Sequence, residues 1–314
     1  MAVSIEKKYQ KLTDTEHVLL RPGMYVGSIK PHTEEVFLPI KGKDQFQLTE
    51  VTYNPGFLKL FDEIVSNSVD EHKRNSKLNK VKVNIDMATG LISIWDNGGI
   101  PVEIHKEYNE WVPEMIFSNL KTGSNFDDTE DRIVVGTNGV GSTLTNIFSK
   151  EFTIQTCDGK KQFVQTFKDN MSDRTKPKIT KKKTAHTQIT YLTDFERFGL
   201  KSINKNHYLM ITKRLIDIAA CNPTLKIYLN DKPIAFRTFK DYASRYVTPI
   251  FYDQSEHWKI GIGHSTTGFK AISFVNSVET KDGGTHVNNI DWQITSYLRD
   301  KIKRKYRVDV KPSE

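Results

Sequence analysis

The stretch FLKLFDEIVSNSVDEHKR, from Phe57 to Arg74, decides how this chain is read. Phe57, Phe61, Ile64 and Val65 fall on one side of a helix and would anchor it on a core. The opposite side is unusual. Glu63, Asn67 and Asp70 share a narrow arc, with Glu71 beside it, where an ordinary solvated face carries Lys, Gln and Arg. Ser66, Asn67 and Ser68 sit in mid-helix, although Ser and Asn side chains compete for backbone hydrogen bonds and weaken helices. Two readings are open at this point. One is an amphipathic helix with a solvated acidic face. The other is a carboxylate base one turn from an amide oxygen that can ligate a hard cation. Mg²⁺ keeps several waters and takes few protein ligands, so one Asn plus phosphate oxygens would be sufficient.

Outward from the helix, KVKVNIDMATGLISIWDNGGIPV (80–102) reads as a β-hairpin: Val81, Val83 and Ile85 alternate, and Leu91 to Trp95 form the return strand. Asp96 closes that strand and is followed by glycines. A carboxylate there can accept from an exocyclic amine while the backbone approaches a ring closely; a plain Asp-Asn-Gly turn is the alternative. GTNGVGST (136–143) is neither a Walker A loop nor a GxGxxG fingerprint. It still exposes backbone N–H groups that suit phosphate, where it enters a helix-like TLTNIFSK (143–150). KTGSNFDDTEDR (121–132), just before it, has the composition of a lid. Thr187 opens the β-branched strand HTQITYL, and the lysine-rich TKPKITKKKTAH (175–186) reads as a solvated hairpin tip. Residues 205–220 look helical. A second unit from about 246 carries a strand at FKAISFVNSV (269–278), a glycine turn at DGGTH and a helix from about Val287 to Tyr306.

Bulk properties narrow the classes. With 314 residues the chain can form two ordinary domains. Lys and Arg total 46 against 38 acidic residues, a net +8 that suits an anionic partner such as nucleic acid. Cys157 and Cys221 lie far apart without CxxC spacing, so no disulfide framework or zinc site is indicated. There is no signal-peptide core and no apolar run of about 18 residues, so no membrane partner is expected. The plain reading is a soluble, intracellular protein.

The order of these pieces resembles the nucleotide-binding fold of the GHKL ATPases, and within them the ATPase region of type IIA DNA topoisomerases. The resemblance runs almost end to end, through YQKLTDTEHVLLRPGMYVGS, FDEIVSNSVDEHKR, GIPVEIHKEYNEWVPEMIFSNLKTGSNFDD, GTNGVGSTLTNIFS and GFKAISFVNSVETKDGGTHV. The wording is similar to eukaryotic type II enzymes and to the ATPase subunit of T-even-type phages, the phage subunit being favoured. That source implies the host bacterial cytoplasm, and a eukaryotic source the nucleus.

The resemblance implies an α/β fold. It would be a GHKL (Bergerat) two-layer sandwich with a mixed sheet over 1–245, including an N-terminal strap, followed by a smaller transducer domain over 246–314. It implies ATP and Mg²⁺ as cofactors, with Glu63 as general base, Asn67 as the Mg²⁺ ligand, Asp96 reading adenine and Thr187 as its partner. Ser124 and Asn125 would contact ribose and phosphate. Gly136, Thr137, Asn138, Gly139, Val140, Gly141, Ser142 and Thr143 would wrap the phosphates. Lys301, Lys303, Arg304 and Lys305 resemble a DNA-holding patch, with basic residues at a helix C-terminus as the plainer alternative. The implied partners are double-stranded DNA, a second copy on ATP binding, with the segment near Tyr9 crossing over, and the DNA-cleaving subunit or domain. ATP would close this two-chain clamp during strand passage.

Three departures stand out. DNGGIP is one residue shorter than the family's Asp-x-Gly-x-Gly-Ile, which leaves the roles of Gly98 and Gly99 open. Position 123 is Gly where eukaryotic relatives carry a hydroxyl. The family's Gln-Thr-Lys loop lies beyond Glu314, which implies a truncated transducer, ATP binding and weak hydrolysis. The rival readings are another GHKL ATPase, of the chaperone or mismatch-repair kind, or a DNA-binding module with a decayed ATP site.

Overall fold

The structure is a computed structural model that describes residues 5, 9, 11–40, 42–123, 139–234, 236, 238–248, 250–265 and 268–311. Helix α1 (Asp14–Leu20) starts at a capping box in which Thr13 and Glu16 satisfy each other's backbone N–H. Strands β1 (His32–Leu38) and β2 (Gln47–Tyr53) pair antiparallel as a separate hairpin. Helix α2 (Pro55–Arg74) follows and contains the whole of the stretch quoted above.

Its start is fixed from three directions. Asn54, 1 % exposed, caps the Phe57 N–H, donates its amide to the Ile29 and Phe198 carbonyls, and gives its own N–H to His207 Nε2 at 2.9 Å. Pro55, in the first turn, needs no hydrogen-bond donor there. Phe57, Phe61, Ile64 and Val65 are all buried, as their spacing predicts.

Strands β3 (Lys80–Ile85) and β4 (Leu91–Asp96) form the expected hairpin, with Val81 opposite Asp96 and Ile85 opposite Ile92. After α3 (Val112–Ser118), helix α4 covers only Gly141–Ile147. The helix-like run ends early because Ser149 already enters β5 (Ser149–Cys157), its hydroxyl donating to the Thr145 carbonyl. Strands β6 (Lys161–Lys168), β7 (Asp173–Arg174), β8 (Lys178–Lys181) and β9 (His186–Thr193) then complete the meander. The lysine-rich run is therefore partly an edge strand, with β8 paired to β6, and most of its lysines are exposed. Helix α5 (Lys205–Cys221) leads into β10 (Lys226–Leu229) and β11 (Lys232–Ile234).

The nine strands form one sheet in the order β11-β10-β3-β4-β9-β5-β6-β7, with β8 beside β6. It is mixed: β10 runs parallel to β3, and the other pairs are antiparallel. Strand residues alternate between the two sides. Val81, Val83, Ile94, Ile154 and Ile189 face the helices in one core, while Lys82, Ser93, Trp95 and Thr190 lie on the half-exposed side. This is the expected two-layer α/β arrangement.

The C-terminal part is thinner. Helix α6 (Phe239–Ala243) packs Tyr242 against Phe46, Ile216 and Ala220. Tyr242 also donates to Asp217, which Lys213 grips at 2.6 and 2.8 Å. Strands β12 (Ile250–Gln254) and β13 (Lys259–Gly263) form a hairpin. The expected strand over 269–278 is not there. Instead β14 (Phe274–Val275) folds straight back as β15 (Val278–Glu279), because Asn276 and Ser277 both take positive φ, 51° and 72°. Helix α7 (Thr285–Tyr306) starts two residues before its expected position and buries none of its residues.

Candidate functional site

The site grows from one row of residues across the sheet. Val81, Asp96, Thr187 and Thr156 are successive register partners on β3, β4, β9 and β5. Asp96 ends β4 facing the helical layer and is 7 % exposed. Its Oδ2 accepts from Ser68 of α2 at 2.7 Å and its Oδ1 from the Gly98 N–H at 2.9 Å. Burial pushes its carboxyl up to about 6, against the opposing pull of those two donors. Each oxygen retains capacity for a further donor. Thr187 lies beside it, its hydroxyl 3.0 Å from that of Thr156, which also accepts the Ile100 N–H at 3.0 Å.

The shortened loop after Asp96 now has a physical account. The Gly98 N–H holds the carboxylate. At Gly99 the chain crosses β5 so closely that a Cβ would lie 2.3 Å from the Cys157 carbonyl oxygen, so no side chain fits.

Helix α2 supplies the second wall. Glu63 is partly buried, and Asn67, one turn on, is exposed. Lys59 approaches Glu63 at 2.5 Å from the preceding turn. Asp70, expected on the same arc, is instead buried at 2 % exposure, and Glu71 pairs with Arg74 at 3.7 Å, so the strip narrows to Glu63 and Asn67. The serines that look out of place have partners. Ser68 holds Asp96, and Ser66 donates to Asp62 at 3.3 Å.

Gly141, where the glycine-rich loop enters α4, lies against Glu63. A Cβ on Gly141 would meet Glu63 Oε2 at 1.6 Å, so any side chain there would have to displace the Glu63 carboxylate. The Gly139 carbonyl accepts the Thr122 N–H at 3.0 Å, which joins this loop to the KTG segment. Val140 sits at the helix start. The hydroxyls of Ser142 and Thr143 are committed to the Ile116 and Asn119 carbonyls at 3.1 and 3.0 Å, so what these residues can offer a phosphate is backbone. Ser124, Asn125, Gly136, Thr137 and Asn138 lie outside the described residues. Thus α2 sets Glu63 against Gly141 and, through Ser68, meets Asp96 beside Thr187, with Asn67 between them on the same helix. Lys301, Lys303, Arg304 and Lys305 fall on α7 instead, with Lys303 paired to Asp309 at 3.0 Å and Lys301 over the Tyr297 ring. Tyr9 is 70 % exposed.

Sequence reasoning missed Ser68, Asn54, His207, Thr156 and Lys59. The unexplained mid-helix serines were the one signal available.

The donor set fits an adenine nucleotide with a hard cation. A buried, partly satisfied carboxylate suits an amine donor, and an exposed amide next to a carboxylate suits Mg²⁺ held mainly by phosphate and water. Among the described residues no group of three or more His, Cys, Asp or Glu is placed to hold a metal ion.

Comparison with known proteins gives concordant matches. The family model described as DNA gyrase B matches residues 226–313. The chain is 42 % identical to a DNA topoisomerase 2 of Acanthamoeba polyphaga mimivirus, over 99 % of this chain and 26 % of that protein. It spans about a quarter of the length of such curated relatives. Among solved structures, the ATPase region of Saccharomyces cerevisiae topoisomerase II superposes with a TM-score of 0.92 at 36 % identity, over 99 % of this chain and 83 % of that one. The ATPase and transducer domains of Balamuthia mandrillaris DNA topoisomerase II give 0.91 at 38 % identity, over 97 % and 81 %.

Proposed function

The chain belongs to the type II DNA topoisomerases, whose ATPase region it matches, and we propose that it binds and hydrolyses ATP in the site built by α2, β4, β9 and the 139–143 loop. The observation that carries this is Asp96: a buried carboxylate held by Ser68 and Gly98, one strand from Thr187 and facing the helix that bears Glu63 and Asn67.

In this reading Asp96 accepts the adenine amine and Thr187 supports it. Asn67 holds Mg²⁺, which when bound neutralises phosphate charge. Glu63 accepts the proton of the attacking water, and the Gly136–Thr143 loop, with Ser124 and Asn125, surrounds the ribose and phosphates. Phosphoryl transfer depends chiefly on positioning and charge neutralisation, and in this reading α2, the sheet and the loop would supply both. We further infer that two copies close on ATP as a clamp around duplex DNA, with the basic end of α7 facing the duplex and the segment near Tyr9 crossing to the neighbour. A DNA-cleaving domain or subunit would act with the clamp in strand passage.

Calorimetric titration with a non-hydrolysable ATP analogue, with and without Mg²⁺ and against a GTP analogue, tests the reading. Adenine-selective binding that Mg²⁺ strengthens and Asp96→Ala abolishes is expected. Equal affinity for the two bases, or an unaffected Asp96→Ala, would overturn it.

A further inference from the structure

The turn of the β14–β15 hairpin is made in an unfavourable way and is held from outside. Both connecting residues have positive φ, the geometry of a type I′ turn, which favours Asn then Gly. Here the second is Ser277, a residue that rarely adopts the left-handed region. Two strands of two residues each do not sustain such a turn by themselves.

Its partners come from the helices of the nucleotide-binding unit. Lys73 of α2 donates to the Asn276 carbonyl at 3.0 Å, and Asn222, the C-cap of α5, donates to the Ser277 hydroxyl at 3.0 Å. Arg214 of α5 donates to the Ser277 carbonyl through Nη1. A few residues on, Lys281 reaches Glu34 on β1 and the Tyr53 hydroxyl on β2.

Arg214 does more than seat the turn. Its Nε donates to Asp62 Oδ1 at 2.5 Å and its Nη2 to Ser66 Oγ at 3.4 Å, while Ser66 itself donates to Asp62 at 3.3 Å. Asp62 and Ser66 lie one turn apart on α2, and each immediately precedes a residue of the nucleotide strip: Asp62 before Glu63, Ser66 before Asn67. The guanidinium thus grips the helix at two levels behind Glu63 and Asn67. The planar fork of an arginine can satisfy three acceptors from one fixed geometry, which a lysine cannot. The grip is completed only by a backbone carbonyl of the hairpin.

We propose that Arg214 is a positioning residue that fixes the rotation of α2, and with it Glu63 and Asn67, and that it does so only while the Ser277 turn is seated on it. This rests on the reading that Glu63 and Asn67 face Mg²⁺–ATP. The hairpin is then a sensor: lifting it releases one arm of the guanidinium and loosens the setting of both site residues, while Asp96 on the sheet is untouched.

The test separates those two parts of the site. Affinity for a non-hydrolysable ATP analogue is measured without Mg²⁺, where Asp96 dominates, and with Mg²⁺, where Asn67 contributes, alongside the thermal midpoint. In Arg214→Met the Mg²⁺-free affinity should stay within about twofold of wild type, and the Mg²⁺-dependent gain should fall about fivefold or more. Arg214→Lys should restore the thermal midpoint through its ion pair with Asp62, yet keep the reduced Mg²⁺ gain, because one ammonium cannot reach both sides. Ser66→Ala, which buries no orphaned charge, should lower the gain about twofold at an unchanged midpoint.

A full Mg²⁺ gain in Arg214→Met and Arg214→Lys would overturn the proposal. So would a parallel loss of both affinities that tracks the thermal midpoint, since that is mere destabilisation. Asn67→Ala is the control: if it keeps the full Mg²⁺ gain, the assignment of Asn67 falls, and the proposal falls with it for that separate reason.

Discussion

Helices α2 and α7 are nearly the same length, 20 and 22 residues, and are built on opposite terms. Half of α2 is buried, including Ser66, Ser68 and Asp70, and its first turn is capped by a side chain. Helix α7 buries nothing, begins at Gly284 without a side-chain cap, and leaves Trp292 69 % and Tyr297 59 % exposed. In α2 the polar residues are bound to named distant groups, so the helix is set in place by polar contacts as much as by apolar packing. In α7 the polar residues are largely exposed, and their partners outside the helix, Thr280, Asp309 and the Val310 carbonyl, lie just beyond its two ends, so its content is mainly its charge. Substitutions in the first should therefore cost specific functions, and in the second only graded, salt-dependent ones.

The largest effect expected from this contrast is on turnover. Glu63→Ala should lower ATP hydrolysis about a hundredfold or more, since a positioned general base contributes on that order, while analogue binding stays near wild type. Turnover comparable to wild type would break the assignment of a functional strip to α2.

Next is stability. Asn54→Ala removes the α2 cap and leaves two carbonyls without their buried donor. The cost should be about 3 kcal/mol in denaturant unfolding. Trp292→Ala on α7, a much larger truncation, should cost less than about 0.5 kcal/mol. Similar losses for the two variants would show that the helices do not differ as their burial indicates.

How much of this was legible in the sequence follows the range of the interactions. Helix α2 and the β3–β4 hairpin were, because periodicity is a local property and both cores follow it. The site residues emerged from resemblance, since neither an Asp at a strand end nor a glycine loop is specific alone. What stayed hidden is long-range. Ser68 meets Asp96 28 positions away, Asn54 meets His207 153 away and Arg214 meets Asp62 152 away. No window of sequence holds both partners. The strand expected over 269–278 failed for the opposite reason: its apolar and β-branched composition suits a strand, but two consecutive left-handed residues fold the run back on itself.

A smaller effect comes from pH. Asp96 is held at about 6, above its ordinary 3.8, so its native state keeps a proton longer than the unfolded chain. The stability this gives is fully present below 3.8 and is lost as pH rises through 6. Nucleotide binding runs the other way, because an ionised carboxylate accepts more strongly from an amine donor than a protonated one does. Affinity for the ATP analogue should fall about tenfold between pH 7 and pH 5, and Asp96→Asn should flatten the profile. His207 has the opposite sign. Burial lowers it to about 4, and its neutral Nε2 accepts the Asn54 N–H, so the stability it adds is lost as pH falls from 6.5 towards 4. Titration kept at pH 5 and above therefore samples Asp96 before the α2 cap fails. A pH-independent affinity would show that Asp96 does not meet the base.

The smallest effect belongs to α7, and it separates two meanings of the same residues. Lys303, Arg304 and Lys305 occupy its last turn, where cations offset the helix dipole; Lys301 lies one turn earlier. If that is their whole role, replacing all four with Gln should cost about 0.3–1 kcal/mol of stability and leave DNA affinity unchanged. If they face DNA phosphates, the slope of log affinity against log salt should fall. Four full contacts would remove nearly 4 units of slope, at about 0.9 per phosphate. Lys303 is already paired with Asp309 just beyond the helix, and Lys301 and Lys305 lie over Tyr297 and Tyr306, so part of their charge is spent within the chain. A change of about 2 units is the reasonable expectation. Fluorescence anisotropy of a labelled duplex across a KCl series, with the unfolding curve of the same variant, measures both quantities. A reduced slope at nearly unchanged stability assigns the patch to DNA. An unchanged slope with lost stability returns it to the helix end, and α7 would then owe nothing to a polyanion.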